Sequence, residues 1–223
     1  MNSTLLEAIE IETGPNPTAS VIWMHGLGAD GSDFVPVVGE LDLDGCPAVR
    51  FVFPHAPAMP VTINGGYVMR AWYDILGTDL VRREDEAGLR KSQLLVEQLI
   101  AREKARGIPA ARIVLAGFSQ GCAMTLQTGL RHPERLAGLL CLSGYVPIHT
   151  LLPEERAAAN NDVPIFLSHG RGDSVIPISR AEMSRDFLRR LGYAVEWHEY
   201  MMQHEVCEEE LDDISAWFRS VLT

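Results

Sequence analysis

The sequence contains little lysine, and its charge is strongly one-sided. Lys91 and Lys104 are the only lysines among 19 basic residues, and 30 acidic residues give a formal net charge of −11 over 223 residues. Because no cluster of basic side chains offsets this charge, the chain is unsuited to the phosphate backbone of nucleic acids or to an anionic membrane surface. We therefore expect no nucleic-acid partner and no polybasic membrane anchor.

Long apolar runs and paired cysteines are also missing. No run approaches the roughly 18 residues that a membrane-spanning helix needs, and the N-terminal stretch lacks the basic and apolar regions of a signal peptide. The four cysteines are widely spaced and form no CxxC pair, which favours free and mostly buried thiols. These absences predict no membrane span and a location in the reducing cytoplasm. The cysteines are Cys46, Cys122, Cys141 and Cys207.

Short apolar runs alternate along the chain with longer amphipathic stretches. This pattern, with 47% hydrophobic and 22% charged residues, is typical of a globular protein, and the length favours a single domain over residues 1–223. Buried strands that alternate with helices predict an α/β fold with a mostly parallel central sheet and helices on both faces. The predicted strands are 5–12, 20–25, 48–53, 113–118, 136–142, 163–169 and 194–200, and the predicted helices include 84–106, 179–191 and a last one from about 205.

One long stretch, residues 55–77, shows no clear periodicity and carries Met69, Trp72 and Tyr73. A loop of this length within a domain is usually functional or disordered, and its large side chains favour a functional role. In an open α/β sheet, ligands bind beyond the carboxyl ends of the strands. We therefore look for a functional site at those ends, next to this loop.

The segment Gly117-Phe118-Ser119-Gln120-Gly121 follows a predicted strand and precedes a helical pattern. This is G-x-S-x-G in the strand–turn–helix context of a nucleophile elbow, where small flanking residues allow a tight turn and the serine hydroxyl projects from it. The alternative is an ordinary glycine-rich turn between a strand and a helix. The context favours Ser119 as a nucleophile.

A serine hydroxyl needs a base to become nucleophilic, and the base needs an acid to orient it. Asp173 lies on a glycine-rich turn after one predicted strand, and His204 lies between the last strand and the last helix. Taken alone, Asp173 fits a turn cap and His204 fits a loop position. The order Ser, Asp, His, with all three residues at strand ends, instead favours a catalytic triad.

The other six histidines fit a catalytic role less well. His198 lies inside a strand, so its side chain points across a sheet face. His25 and His169 end apolar strands, where contacts with the backbone or with neighbouring side chains are expected. His204-x-x-Cys207 is the only metal-like spacing, and it lacks further ligands, so we expect no metal and no cofactor. The remaining histidines are His55, His132 and His149.

Acyl transfer also needs donors for the oxyanion of the tetrahedral intermediate. The backbone N–H of Gln120, directly after the nucleophile, is one candidate. The glycine-rich loop 25–31 follows an earlier strand and can supply a second, for which Leu27 is the candidate. A phosphate-binding loop is a weaker interpretation, since the segment lacks the Lys and Ser/Thr of a P-loop.

Seven short motifs together resemble the phospholipase/carboxylesterase family, which comprises small bacterial carboxylesterases and acyl-protein thioesterases of the α/β-hydrolase fold. The resemblance covers nearly the whole chain. The motifs are H-G-L-G-A-D-G-S-D-F (25–34), F-P-H-A-P (53–57), A-W-Y-D (71–74), G-F-S-Q-G (117–121), L-S-G-Y (142–145), H-G-R-G-D (169–173) and Q-H-E-V (203–206).

The resemblance implies a minimal α/β-hydrolase core without a separate lid domain. It implies the triad Ser119, Asp173 and His204, oxyanion amides on Leu27 and Gln120, and Trp72 near the acyl pocket. Family members often form dimers, so a homodimer is also expected.

Two positions depart from the family pattern, in which glycine is usual: Cys122 after the elbow and Gln203 before the catalytic histidine. Cys122 is expected to be a packed residue. A glycine at 203 can supply a backbone conformation that a side chain resists. Gln203 is therefore expected to affect the rate or the pocket more than the mechanism.

Together these features predict a cytoplasmic serine esterase or thioesterase that hydrolyses carboxylic esters or thioesters with an apolar short- to medium-length acyl chain through an acyl-enzyme. The expected substrate is a small-molecule ester or thioester or an acylated protein, and acyl-protein thioesterase or lysophospholipase is an alternative main activity. Alternatives are a catalytically silent binding module of the same fold and a lactone hydrolase, although lactone hydrolases of the dienelactone type use cysteine where this chain has Ser119. The residues expected to line an acyl slot are Met69, Trp72, Tyr73, Ile75, Val175 and Ile176.

Overall fold

The computed structural model describes residues 5–77 and 84–223 and contains nine strands. Four of them (β2, β3, β7 and β8 below) are buried at every residue, as expected for strands covered on both faces. In chain order the strands are β1 (Ala8–Glu12), β2 (Ala19–Met24), β3 (Val49–Pro54), β4 (Ala58–Val61), β5 (Tyr67–Arg70), β6 (Ile113–Phe118), β7 (Gly138–Leu142), β8 (Ile165–Gly170) and β9 (Val195–Tyr200).

Seven of these strands form the central sheet in the order β1-β3-β2-β6-β7-β8-β9. Neighbours run parallel except at one edge, where β1 pairs antiparallel with β3. The two strands with alternating sequence patterns, β1 and β9, occupy the two edges, where one side of a strand remains open to solvent. The mostly parallel sheet predicted from the sequence is therefore confirmed.

In the described part of the chain, five α-helices connect or follow the strands. The first begins at Asp85, whose carboxylate accepts a hydrogen bond from the Gly88 N–H at 2.9 Å. It ends just before Gly107, which has the left-handed conformation (φ +94°) common after a helix end. The helices are α1 (Glu86–Ala105), α2 (Gln120–Gly129), α3 (Leu152–Glu155), α4 (Ile178–Arg190) and α5 (Glu208–Leu222).

The helices bury apolar residues on both faces of the sheet. On one face, α1, α2 and α4 contribute to a layer of buried residues that includes Leu99 and Leu188. On the other face, α5 presents Leu211, Ile214 and Phe218 at the spacing of one helical stripe. The predicted covering of the sheet on both faces is thus also confirmed.

Two details differ from the sequence-based prediction. Residues 55–77, expected to be irregular, contain the antiparallel hairpin β4–β5, in which Pro60 pairs with Val68. Its strands are four residues long and largely exposed, so their sequence shows no burial pattern. The sequence pattern of the predicted helix 84–106 places Leu89, Leu94, Leu95, Leu99 and Ile100 on one apolar stripe, but Leu94 is 65% exposed. It lies five residues from both Leu89 and Leu99, and that spacing places it on another side of the helix.

The polar residues selected from the sequence lie at the carboxyl ends of the parallel strands. Ser119 follows β6, Asp173 follows β8 and His204 follows β9. Within residues 5–77 and 84–223, the helices are all too short or too polar to cross a membrane.

Candidate active site

Ser119 occupies a strained turn between β6 and α2. Its φ of 57° and ψ of −116° lie in a region that non-glycine residues rarely adopt. The backbone N–H of Ser119 donates to the Leu142 carbonyl of β7 at 2.9 Å, and this bond helps to hold the turn against the sheet. The hydroxyl is thereby presented at the carboxyl edge of the sheet, at the beginning of α2.

The two glycines of the elbow allow this turn because the backbone passes very close to each of them. A Cβ at Gly121 would lie 2.0 Å from the carbonyl oxygen of Met24 on β2, and a Cβ at Gly117 would lie 2.2 Å from the Gly121 backbone. Any side chain at either position would force α2 away from the sheet. The G-x-S-x-G spacing is therefore a steric requirement of this turn.

His204 links Ser119 to Asp173. Its Nε2 lies 2.9 Å from the Ser119 Oγ, and its Nδ1 lies 2.7 Å from the Asp173 Oδ2. Because an ionised carboxylate only accepts hydrogen bonds, Nδ1 carries the proton and Nε2 is left to accept from the serine hydroxyl. The structure thus brings together the three residues that the sequence analysis selected, in the arrangement of a nucleophile, a base and an orienting acid.

The Asp173 carboxylate is buried and held by the loop that carries it. Its Oδ1 accepts hydrogen bonds from the backbone N–H groups of Val175 (2.9 Å) and Ile176 (2.8 Å). The other oxygen, Oδ2, is left to face His204. The short Asp-containing turn, which the sequence alone allowed as a turn cap, therefore serves both as a turn and as a support for His204.

The loop after β2 is ordered around the ring of His25. Its Nε2 accepts from the Ala56 N–H at 3.0 Å, so its Nδ1 carries the proton and donates to the Gly26 carbonyl at 2.7 Å. Burial lowers the pKa of His25, consistent with this neutral ring. Since the peptide is planar and trans, the Leu27 N–H points away from that carbonyl. Leu27 lies beside the same cavity as Ser119.

Gln120 is the first residue of α2, where backbone N–H groups have no partner within the helix. Gln120 and Leu27 both line the cavity next to Ser119, as two oxyanion donors would have to do. The side chain of Gln120 has a separate task. Its Oε1 accepts from the Trp72 N–H at 2.9 Å and its Nε2 donates to the Tyr73 carbonyl at 2.7 Å.

Ser119 and His204 open into a cavity of about 400 Å³, hereafter the site cavity. Its wall is largely apolar. It includes Tyr73 and Tyr145, whose buried hydroxyls form a hydrogen bond of 2.8 Å with each other. Such a cavity suits an apolar group attached to the reacting carbonyl. The lining residues are Gly26, Leu27, Ala29, Asp33, Ile63, Asn64, Tyr73, Ile75, Phe118, Ser119, Gln120, Tyr145, Val175, Ile176 and His204.

Four of the six residues expected to line an acyl slot line this cavity, and two do not. The Trp72 ring is almost fully buried and donates from Nε1 to the His25 carbonyl at 2.9 Å. Met69 lies on β5, where its sulfur is 3.4 Å from the Asn64 amide. Neither residue lines the cavity. The four lining residues are Tyr73, Ile75, Val175 and Ile176.

Several residues of the cavity wall were not predicted from the sequence. Ile63 and Asn64 lie in the 55–77 segment, in which Met69, Trp72, Tyr73 and Ile75 were predicted to line the slot but these two residues were not. Tyr145 ends the L-S-G-Y motif, and Phe118 lies within the elbow itself, so both were visible in quoted motifs. What the sequence did not provide was the direction of their side chains.

The two departures from the family pattern have local explanations. Cys122 is fully buried in the core, next to Cys141 on β7, whose thiol pKa is raised well above its usual value, first by burial and then by Cys122. Gln203 is exposed, is not among the residues with positive φ and does not line the site cavity. Among the described residues, neither side chain lines the site cavity or forms a hydrogen bond with Ser119, Asp173 or His204.

The rival histidines have other partners. His132 pairs with Glu97 at 2.7 Å, and His198 lies between Glu196 and Asp213. In the part of the chain that the structure describes, His, Cys, Asp and Glu form no group of three suited to a metal ion. A second, more open hollow of about 490 Å³ lies at the opposite ends of β8 and β9 and contains none of the triad residues.

The chain matches the phospholipase/carboxylesterase family over residues 6–222. It is 40% identical over 215 residues to acyl-protein thioesterase 1 of Yarrowia lipolytica, a match that covers 94% of this chain and 95% of the relative. It is 42% identical over 206 residues to acyl-protein thioesterase 1 of Neurospora crassa, with coverage of 88% and 84%.

Solved structures show the same architecture. SOBER1 of Arabidopsis thaliana superposes with a TM-score of 0.86 at 29% identity, covering 92% of this chain and 99% of that one. Esterase PE8 superposes with a TM-score of 0.83 at 29% identity, covering 98% and 100%. The sheet order, the turn at Ser119 and these likenesses agree with the α/β-hydrolase fold. The chain belongs to the phospholipase/carboxylesterase family.

Proposed function

We propose that this protein is a serine hydrolase that cleaves carboxylic esters or thioesters carrying an apolar acyl group, without a cofactor. The observation that carries the proposal is the position of His204, which lies within hydrogen-bond distance of both Ser119 and Asp173 at the edge of a largely apolar cavity. A nucleophile, a base and a binding cavity thus occur at one place.

In the first half of the reaction, His204 Nε2 accepts the Ser119 proton while Oγ attacks the carbonyl carbon of the substrate. The negative charge that develops on the carbonyl oxygen is stabilised by the backbone N–H groups of Leu27 and Gln120. Asp173 stabilises the resulting imidazolium and holds its orientation. Collapse of the tetrahedral intermediate breaks the bond to the alcohol or thiol, and His204 returns the proton to that leaving group.

The second half repeats these steps with water. His204 removes a proton from water, the hydroxide attacks the acyl group on Ser119, and a second tetrahedral intermediate forms in the same oxyanion site. Its collapse releases the carboxylic acid and restores the serine hydroxyl, with the proton supplied by His204. The acyl group occupies the site cavity throughout both halves.

The relatives named acyl-protein thioesterase 1 support the proposal that thioesters are substrates. Acylated proteins are one class of thioester that the proposal includes. The site cavity is suited to the apolar acyl group of the substrate. The alcohol or thiol that leaves would lie outside the cavity, so it can belong to a small molecule or to a protein side chain. We propose a cytoplasmic single-domain enzyme, consistent with the four free cysteines.

The test compares the wild type with Ser119→Ala, using p-nitrophenyl butyrate and a matched acyl thioester, together with labelling by a fluorophosphonate probe. We expect turnover and labelling in the wild type and neither in Ser119→Ala. Ser220→Ala, which changes an exposed serine near the C-terminal end of α5, serves as the matched control and should behave as wild type. Turnover by the wild type no higher than that of Ser119→Ala and no higher than the uncatalysed rate, with no labelling of either, would instead favour a binding module of the same fold.

A further inference from the structure

His169 is a second histidine beside the catalytic aspartate. It lies near the end of β8, four residues before Asp173, and its side chain is fully buried. Its Nε2 lies 2.7 Å from the Ile176 carbonyl oxygen and 3.2 Å from the Asp173 Oδ2. That carboxylate oxygen is also the one that accepts from His204.

The protonation of His169 follows from these contacts. A carbonyl oxygen only accepts hydrogen bonds, so the proton is on Nε2. Burial lowers the pKa of His169, which keeps the ring neutral. The other nitrogen, Nδ1, is buried and has no hydrogen-bond partner among residues 5–77 and 84–223. The ring therefore has a single donor, and that donor faces the 170–176 loop.

The His169 Nε2–H stabilises the loop that carries Asp173. Ile176 is held from two sides, because its N–H donates to the Asp173 Oδ1 at 2.8 Å and its carbonyl accepts from His169 at 2.7 Å. The loop therefore cannot turn without breaking one of these two bonds. The polar N–H edge of the ring also lies beside Oδ2 and favours the position in which this oxygen faces His204.

We propose that His169 is a positioning residue for the triad, whose single N–H fixes the 170–176 loop so that Asp173 presents Oδ2 to His204. The proposal rests on the serine-hydrolase function proposed above. His169 does not touch the substrate, because its side chain is fully buried and it does not line the site cavity. It acts through the position of Asp173, and a small displacement of a catalytic group lowers reactivity steeply.

The test uses three substitutions of His169. Glutamine places its amide near the position of Nε2 and can donate to the Ile176 carbonyl, asparagine is too short to reach it, and leucine removes the donor. We expect the rate of fluorophosphonate labelling of Ser119 to fall by about a hundredfold in His169→Leu and His169→Asn. His169→Gln should recover to within about tenfold of wild type.

A second measurement reads the His204–Asp173 hydrogen bond directly. The proton on His204 Nδ1 should give a far-downfield ¹H NMR signal, assigned by its loss in His204→Gln. We expect this signal to persist in wild type and His169→Gln and to disappear in His169→Leu. A residue that only filled space would lower the melting temperature without removing the signal.

The matched control is His132→Leu, which removes another buried histidine paired with a carboxylate, Glu97, far from Ser119. It should lose stability and keep both the labelling rate and the downfield signal. If His169→Leu does not fold, the comparison of His169→Gln with His169→Asn decides the question.

Wild-type labelling in His169→Leu or His169→Asn would overturn the proposal, as would a folded His169→Gln that is as slow as either. Absence of labelling in the wild type would overturn the hydrolase function itself, while the downfield signal would still report on the role of His169.

Discussion

The side chain of Gln120 forms a hydrogen bond with the backbone of Trp72 and so links that segment to the turn that carries Ser119. The Oε1 atom of Gln120 accepts from the Trp72 N–H at 2.9 Å, while its Nε2 donates to the next carbonyl, that of Tyr73, at 2.7 Å. One residue therefore has its backbone N–H at the proposed oxyanion position and its side chain on the segment that carries Tyr73 into the site cavity. The two functions are separable by mutation, because only the second depends on the side chain.

Gln120→Ala tests this division. We expect KM for an acyl ester to rise by about tenfold and kcat to change much less, because the cavity wall loosens while the backbone donor remains. Gln93→Ala is the control, since the Gln93 side chain accepts a hydrogen bond from Gln127 and does not line the site cavity. A fall in kcat with an unchanged KM would show that the side chain serves the reaction step instead.

Asp173→Asn tests the orienting acid. An amide at this position offers an N–H to His204, favours the wrong ring tautomer and gives no charge to stabilise the imidazolium. We expect kcat to fall by about 10⁴-fold with the fold retained. Asp162→Asn, at an exposed aspartate, is the control. Loss of less than tenfold in steady-state assays would exclude Asp173 from the triad.

The fold and the triad were predictable because each has a strong local signal. Runs such as β2 and β6 are apolar at nearly every position, and parallel strand ends converge at one edge of a sheet. Ser119 follows such a run, Asp173 follows a strand that begins with one, and His204 follows β9, whose alternating pattern also indicates a strand. Their order along the chain was therefore enough to place them together.

The cavity wall was less predictable because it depends on which way side chains point after distant segments meet. Trp72 was selected for its size, yet its indole turns inward and donates to the His25 carbonyl, while its neighbour Tyr73 faces the cavity. Ile63 reaches the cavity through the β4–β5 hairpin, whose short exposed strands carry no clear periodicity. Neither outcome is encoded in local spacing.

Gly121→Ala tests the steric argument for the elbow. Its methyl group would meet the Met24 carbonyl oxygen at 2.0 Å, and the rigid strand backbone cannot yield as a side chain can. We expect a loss of about 3 kcal/mol or more in stability, measured by urea unfolding, and no labelling of Ser119. Gly39→Ala is the control because nothing lies within 4 Å of its added methyl group. Similar stabilities for the two variants would contradict the close approach.

Gln203→Gly restores the residue usual in the family at this position. The Gln203 side chain is exposed, its backbone does not need a positive φ, and it does not line the site cavity. We therefore expect kcat/KM within about threefold of wild type and a slightly lower melting temperature, because glycine increases the entropy of the unfolded chain. A tenfold gain in kcat/KM would show that Gln203 restrains His204.

Glu210 is a buried acid that the proposed reaction does not use. It lies in the first turn of α5, and its side chain is fully removed from solvent. Burial raises the pKa of Glu210 from 4.5 to about 7, which the Ser168 hydroxyl partly opposes and Asp213 reinforces. Between these two pH values the folded state binds a proton that the unfolded state has released. Stability should therefore fall as pH rises from 4.5 to about 7.

Glu210→Gln removes this titration while keeping the shape of the side chain. Above pH 7 the charged carboxylate costs the folded state up to about 3 kcal/mol, so the variant should melt about 5–10 °C higher than wild type at pH 8. At pH 4.5 the wild-type acid is protonated in the folded state, and the two melting temperatures should nearly coincide. Glu209→Gln, at the exposed neighbour, should show no such pH dependence beyond a small surface effect. An equal gain from Glu210→Gln at both pH values would mean that packing, and not the charge, is the cause.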